Sequence, residues 1–181
     1  PEVLQGCEKL DTLTLRSSHV EEGILTLRNN FPRLQELTFI RNLALEGLRL
    51  SETELEWPRF TDLCSLEVWS PSPSDLEAIA GFTTLRKIHI VHADLSTKDI
   101  ETLGRLSNLE EIRLHGPLPL NAMDDAWFRN FPQLKALSLE CFSPYPESLS
   151  SLAECDQLKE LHISGVFGEN FDWSWLENLQ Q

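Results

Sequence analysis

Histidine is the residue type in this sequence whose placement could support chemistry. His89, His92 and His115 lie in the central part of the chain, and Arg86 and Lys87 add positive charge beside them. Imidazole side chains bind metal ions, exchange protons near neutral pH and contact acidic partners. The cluster is compatible with a metal site, a pH-sensitive contact or a polar contact patch, and also with plain solvated surface residues.

Motifs for catalysis and cofactor binding are missing from the sequence. It has no glycine-rich phosphate-binding loop and no Gly-x-Ser-x-Gly element. Serine and histidine are plentiful, but no spacing suggests a catalytic triad. No Cys-x-x-Cys pair points to a zinc site. We therefore expect no enzymatic activity, no cofactor and no bound metal.

The net charge limits the class of partner. The 181 residues include 29 acidic and 15 basic side chains, which gives a net charge of −14. Because this charge opposes a phosphate backbone, we expect a protein partner with a basic or apolar surface and no nucleic acid. No apolar run approaches the roughly 20 residues of a membrane helix, so no membrane contact is expected. The lack of paired-cysteine motifs and glycosylation sequons favours an intracellular, cytoplasmic protein.

The elements that must position these side chains come from a repeated pattern. An apolar residue, two spacers and then Leu-x-x-Leu-x-Leu, with conservative replacements, occur seven times. The copies read CEKLDTLTL from Cys7, FPRLQELTF from Phe31, FTDLCSLEV from Phe60, FTTLRKIHI from Phe82, LSNLEEIRL from Leu106, FPQLKALSL from Phe131 and CDQLKELHI from Cys155. A nearly fixed period of this length predicts a solenoid, in which each repeat buries its apolar face against its neighbours.

Leu-x-x-Leu-x-Leu at this spacing resembles the leucine-rich repeat family, in particular its intracellular, helix-containing members with repeats of about 24 residues. The resemblance covers nearly the whole chain. It implies an α/β solenoid with a curved parallel sheet on the concave face and helices on the convex face. It also implies a protein-recognition role, although this fold serves many unrelated partners.

The repeats divide the chain 1–181 into one domain. Strands are predicted near 12–16, 36–40, 65–69, 87–91, 111–115, 136–140 and 160–164. Apolar residues at intervals of three, such as Leu76, Ile79 and Phe82, predict helical return segments before the strands. Residues 43–56 are predicted to be an irregular insertion, because a strand there would follow its neighbour too closely for a parallel crossover. Residues 171–179 are either a capping helix or the start of an eighth repeat.

The outward-facing strand positions supply the candidate binding site. Ile40, Trp69 and Val91 fall at the same position of consecutive repeats, which predicts an apolar ridge on the concave face. The predicted polar surround consists of Arg16, Glu67, His89, Arg113 and His115. The alternative is that the irregular third repeat folds over the ridge and buries it.

Two functions are compatible with these features. The first is a non-enzymatic protein–protein interaction module of the ligand-sensing or substrate-adaptor type, with the partner docked on the concave face. The second is a structural or autoinhibitory repeat segment of a larger multidomain protein, which contacts the other domains of its own chain. The second function would place the important surface on the helix side or at the ends of the array.

Overall fold

Seven parallel strands form a single sheet in this computed structural model, and they follow one another in chain order. The structure describes residues 11–16, 40–49, 60–92, 94–119, 123, 125–144, 149–166, 169, 172–174 and 176–177. The strands are β1 (Thr12–Arg16), β2 (Asn42–Arg49), β3 (Ser65–Trp69), β4 (Lys87–Val91), β5 (Glu111–Gly116), β6 (Ala136–Pro144) and β7 (Glu160–Val166). The return segments contain α1 (Pro73–Ile79), α2 (Thr97–Leu103), α3 (Asp125–Phe128) and a 3-10 turn at Ser150–Glu154.

The second strand lies later in the chain than the sequence pattern predicted. β2 pairs with β1 so that Leu13 lies opposite Leu43 and Leu15 opposite Leu45. Ile40 precedes β2 and is outside any strand, while residues 36–39 lie outside the described ranges. The predicted insertion over 43–49 is therefore wrong, as is the inclusion of Ile40 in a strand. Residues 36–39 and 50–56 of these two predictions lie outside the described ranges.

The sequence around the second strand fits the repeat pattern in two ways. Two overlapping frames fit the repeat, one anchored at Leu34 and one anchored at Ile40. In the frame that the structure adopts, Phe31, Leu34 and Leu37 stand nine, six and three positions before the anchor. Those are the positions that other repeats fill with the apolar stripe of the return segment. The apolar pattern alone therefore does not tell whether Leu34 or Ile40 is the anchor of this repeat.

A ladder of backbone hydrogen bonds fixes this frame. The carbonyl oxygen of Asp11 accepts hydrogen bonds from the N–H groups of Arg41 at 3.1 Å and Asn42 at 3.0 Å. The same two-to-one arrangement recurs at the carbonyls of Arg41, Cys64, Arg86, Glu110 and Lys135. Each carbonyl immediately precedes its strand, so the strands start at the same level and their side chains fall into register. Ile40 precedes Arg41 as Leu63 precedes Cys64.

The core lies on one side of the sheet, between the strands and the return segments. Alternation along β3 buries Leu66 and Val68, and its other side chains are half-buried. Equivalent positions in β2, β4, β5 and β6 carry buried Leu or Ile. This alternation across registered strands produces one continuous apolar layer, as a sheet with one covered face requires.

The two regular return helices begin with the same local structure. Ser72 Oγ accepts a hydrogen bond from the Asp75 N–H, and Asp75 Oδ2 accepts one from the Ser72 N–H at 2.9 Å. Ser96 and Asp99 repeat this capping box, with the return bond at 2.8 Å. Each box satisfies backbone donors that the first helical turn leaves free.

Of residues 171–179, predicted to be a capping helix or the start of an eighth repeat, the structure describes 172–174 and 176–177. Within the described part, the Leu176 N–H donates to the Trp173 carbonyl at 3.1 Å, which is a single tight turn. Trp173 is 46% exposed and Leu176 is 39% exposed. Among the described residues, no helix has the length and apolar character needed to cross a membrane.

Candidate partner-binding surface

The side chains that alternate with the buried ones form a second surface, here called the open face. The strand register arranges them in columns that run across the sheet. One column contains Thr14, Ala44, Glu67, His89, Arg113, Ser138 and His162. The column on its carboxyl-terminal side contains Trp69, Val91, His115, Glu140 and Ser164. Apart from Arg16, the predicted polar surround lies on this face with described side chains.

The predicted apolar ridge does not exist as a surface feature. Ile40 is 0% exposed because it anchors the repeat in the core, so its assignment to the binding surface is wrong. Trp69 and Val91 are register partners on neighbouring strands, as predicted. Val91, however, is only 6% exposed and cannot offer a contact area. Trp69 alone, half-buried, remains from the predicted ridge.

Trp69 is held in place by the side chain two residues before it. Its indole Nε1 donates a hydrogen bond to Glu67 Oε1 at 3.1 Å. The other oxygen of the same carboxylate, Oε2, lies 3.3 Å from Nδ1 of His89 on the next strand. One carboxylate therefore orients both an aromatic ring and an imidazole, and a pre-oriented aromatic side chain loses little conformational entropy on binding.

His92 completes the surroundings of Trp69; the sequence placed it in the histidine cluster but not in the predicted polar surround. It lies one residue beyond β4 with a backbone φ of 51°. Its ring centroid is 5.3 Å from that of Trp69 and 5.0 Å from that of His115. Trp69 and His115 flank Val91 in the register, and His92 links these two flanking rings. Nothing in the local sequence marks a left-handed histidine, which is an uncommon conformation for a residue other than glycine.

An ion-paired cluster lies beside this aromatic group. Glu111 Oε2 is 2.8 Å from Lys87 Nζ, and Glu111 Oε1 is 2.6 Å from Arg113 Nη2. The hydrogen bond from Lys87, together with the positive charges of Lys87 and Arg113, holds the pKa of Glu111 below its ordinary value. This carboxylate is therefore ionised at neutral pH, and it fixes Arg113 along β5.

A depression of about 360 Å³ crosses β6 on the same face. Ala136, Ser138 and Glu140 line it from β6, Glu111 and Arg113 from β5, and Glu160 and His162 from β7. Ile112, Leu137 and Leu161, which alternate with these residues along the strands, also border it. The depression forms where β6 presents small side chains between two strands with long ones. We refer to it as the β6 groove.

Two expectations remain, the place of Arg16 in the polar surround and the absence of a metal site. Arg16 pairs through its backbone with Glu46, but its side chain lies outside the described part of the chain. Within the described ranges, no group of three or more His, Cys, Asp or Glu side chains could hold a metal ion. His89, His92 and His115 instead have carboxylate or aromatic neighbours; in His115, for example, Nε2 lies 3.9 Å from Glu140 Oε2.

Two solved structures from Listeria monocytogenes strain 4b F2365 resemble this chain. An internalin (inlF) matches with 19% sequence identity and a TM-score of 0.56, over 97% of this chain and 47% of its own. An internalin C2 (inlC2) matches with 18% identity and a TM-score of 0.54, over 94% of this chain and 77% of its own. The chain thus spans about half of the length of the first internalin. The sequence matches no protein-family model and no curated protein.

This likeness, together with the seven-stranded parallel sheet, settles the fold. Internalins are leucine-rich repeat proteins, and the chain folds as an α/β leucine-rich repeat solenoid. Its open face corresponds to the sheet face that lines the horseshoe of such a solenoid. At these sequence identities the likeness concerns the fold, and function has to be argued from the surface itself.

Proposed function

We propose that this chain is a non-enzymatic protein-recognition module whose partner docks on the open face of the sheet. The observation that carries the proposal is the setting of Trp69. It is the only Trp, Tyr or Phe among the described side chains of that face, and Glu67 and His92 hold it on two sides. An accessible tryptophan with a fixed orientation, surrounded by polar groups, is the composition of an interface hot spot.

The residues around Trp69 have distinct parts in this proposal. Glu67, His89 and His115 form the polar surround that excludes water from the contact. Arg113 lies farther along the sheet and supplies a fixed guanidinium. Val91 lies beneath the contact and supports Trp69 and His115, between which it lies in the register.

The test compares the native chain with two tryptophan variants in affinity capture from a lysate of the source cells. Trp69→Ala removes the proposed centre, and Trp173→Ala is the matched control because Trp173 is an exposed tryptophan outside the seven strands. We expect a protein that the native chain and the control capture and that Trp69→Ala loses. Direct titration of the purified partner should then show a loss of at least tenfold in affinity, the scale of a hot-spot residue. Circular dichroism and thermal unfolding confirm that each variant is folded.

Capture of the same proteins by all three chains, or of none by the native chain, contradicts docking on the open face. The competing function is a structural or autoinhibitory segment that contacts other domains of a longer chain. The exposed side chains of Trp173 and Leu176 favour it. A capture pattern that Trp173→Ala changes and Trp69→Ala leaves intact supports that function.

We also propose an intracellular location. Cys64 and Cys141 carry thiols in the structure, as a reducing compartment would keep them. Fractionation of the source cells followed by immunoblotting tests this part of the proposal, and recovery of the protein outside the cells overturns it.

A further inference from the structure

The β6 groove has the shape of a cradle for an extended chain. Its floor is low because Ala136 and Ser138 have small side chains, and its walls are high because β5 and β7 carry long ones. Neighbouring strands lie about 4.8 Å apart, so the backbones of β5 and β7 are separated by about 10 Å. This width admits one extended segment lying along β6, with its side chains reaching the walls.

The charges around the groove are unevenly distributed. On the β5 wall, the carboxylate of Glu111 is already occupied by Lys87 and Arg113. On the β7 wall, Glu160 is exposed, and within the described residues no cation lies within ion-pair distance of it. Glu140 stands at the end of the groove, where its neighbour is His115 at 3.9 Å. Two carboxylates therefore remain to receive a cation, and the chain's net charge of −14 attracts one from a distance.

Two of the positive groups nearest to the groove, Arg113 and Lys135, are paired with other carboxylates. Arg113 donates from Nε to Glu111 Oε1 at 2.7 Å, and Lys135 Nζ lies 2.7 Å from Glu110 Oε2. Lys159 precedes Glu160 but does not line the groove. These cations leave Glu140 and Glu160 uncompensated, so the groove complements a positive ligand.

The two carboxylates also have a defined spacing. Glu160 is the register partner of Ala136, which lies four residues before Glu140 on β6. Four residues of strand correspond to about 13 Å, because each residue of a strand advances the chain by about 3.3 Å. An extended peptide reproduces this interval between its residues i and i+4, whose side chains point to the same side.

From this geometry we propose that the β6 groove binds an extended, basic segment of the protein partner, with Lys or Arg at two positions four residues apart. One cationic side chain pairs with Glu160 and the other with Glu140. The Ser138 hydroxyl on the floor forms a hydrogen bond with the segment between them. The inference rests on the proposed function and names the chemistry of the partner at one part of the open face.

The experiment titrates the isotope-labelled full chain with the capped pentapeptide Arg-Ala-Thr-Ala-Arg and follows the backbone amide resonances. We expect saturable shifts centred on residues 136–140 and 160–162. The double variant Glu140→Gln/Glu160→Gln should weaken binding about fourfold or more, since an exposed ion pair contributes roughly a factor of two to five. The control is Glu101→Gln/Glu177→Gln, which removes two exposed carboxylates outside the groove and should leave the affinity unchanged.

Two further peptides complete the test. Glu-Ala-Thr-Ala-Glu has the opposite charge, and Ala-Arg-Arg-Ala-Thr has the same composition with adjacent arginines. Both should bind more weakly than the first peptide. The inference is overturned by shifts that do not saturate or lie elsewhere, by equal binding of either control peptide, or by indifference to the groove variant. If Trp69-dependent capture succeeds while the pentapeptide fails, the open face binds a partner without this basic segment.

Discussion

The indole Nε1 of Trp127 donates a hydrogen bond to the carbonyl oxygen of Ile100 at 2.6 Å. The two residues belong to consecutive return segments, α3 and α2, so the bond joins neighbouring repeats on the side of the core away from the sheet. Trp127 is buried, and its ring lies 4.7 Å from that of Phe131 and 5.0 Å from that of Phe128. Because this hydrogen bond is buried, we expect its loss to lower the free energy of unfolding measurably.

Replacement of Trp127 by phenylalanine should lower the free energy of unfolding by about 1–3 kcal/mol. The variant keeps an aromatic ring in the core, but it loses the hydrogen bond and leaves unfilled volume beside Phe131. Urea denaturation followed by circular dichroism gives the value. Trp173→Phe is the matched control and should change the stability by less than about 0.5 kcal/mol, because Trp173 is largely exposed. Equal effects of the two substitutions would contradict the structural role assigned to Trp127.

The first return helix allows a test of where a helix begins. The structure places the capping box of α1 at Ser72 and Asp75, and Ser74 follows two residues after the cap. Ser72→Ala should therefore lower the free energy of unfolding by about 1 kcal/mol, the usual cost of losing such a cap. Ser74→Ala should cost distinctly less, because Ser74 lies inside the first turn. Denaturant titrations of both variants give the two losses of stability, and a larger loss for Ser74→Ala would contradict Ser72 as the N-cap of α1.

The sequence predicted the repeat architecture well, because a core shared between registered strands imposes a strong periodic demand. Six of the seven predicted strand ranges lie within the strands found. The second strand could not be placed because phenylalanine, leucine and isoleucine satisfy both frames around Leu34 and Ile40. Apolar pattern alone does not distinguish a strand anchor from the stripe of a return segment. The backbone ladder that starts at Asp11 decides between them, and it is a tertiary feature.

The candidate site was predicted less completely, because it also depends on tertiary features that the repeat pattern does not contain. Periodicity identified which side chains leave the core, and so it found Trp69, Glu67 and His89 on one face. It could not foresee that His92 would turn back over the sheet in a left-handed conformation. It also could not show that the small side chains of Ala136 and Ser138, between long ones on both neighbours, leave a groove.

Ile40 provides the most direct test of the corrected frame. Truncation of this fully buried anchor to alanine should lower the free energy of unfolding by about 2–5 kcal/mol, the range for large-to-small core substitutions. Leu63→Ala, at the equivalent anchor of the next repeat, should have a similar effect. Leu176→Ala, at an exposed site, should cost much less. Thermal and urea unfolding measure all three. A near-neutral Ile40→Ala would restore the surface position that the sequence pattern first indicated.

Stability should fall in acid because of the ion-paired carboxylates. Hydrogen bonds and charges from Lys87 and Arg113 lower the pKa of Glu111 in the folded chain below its ordinary value of 4.5. The pKa of Glu110 is lowered in the same direction, chiefly by Lys135 and Arg86. A lowered folded pKa means that the unfolded chain binds protons more readily. The stabilisation is therefore complete above pH 4.5 and is lost as the pH falls through the folded values.

Glu111→Gln should reduce the free energy of unfolding at neutral pH and make its decline in acid less steep. Urea titrations at neutral pH give the first effect. The difference in the free energy of unfolding between neutral pH and about pH 3.5 gives the second. Glu101→Gln, which removes an exposed carboxylate from α2, should leave the acid-induced loss unchanged. Glu110 and Glu77 retain lowered pKa values in the Glu111 variant, so part of the pH dependence persists. An acid-induced loss of the same size in Glu111→Gln as in the native chain would show that this ion-paired cluster does not contribute to the pH dependence of folding.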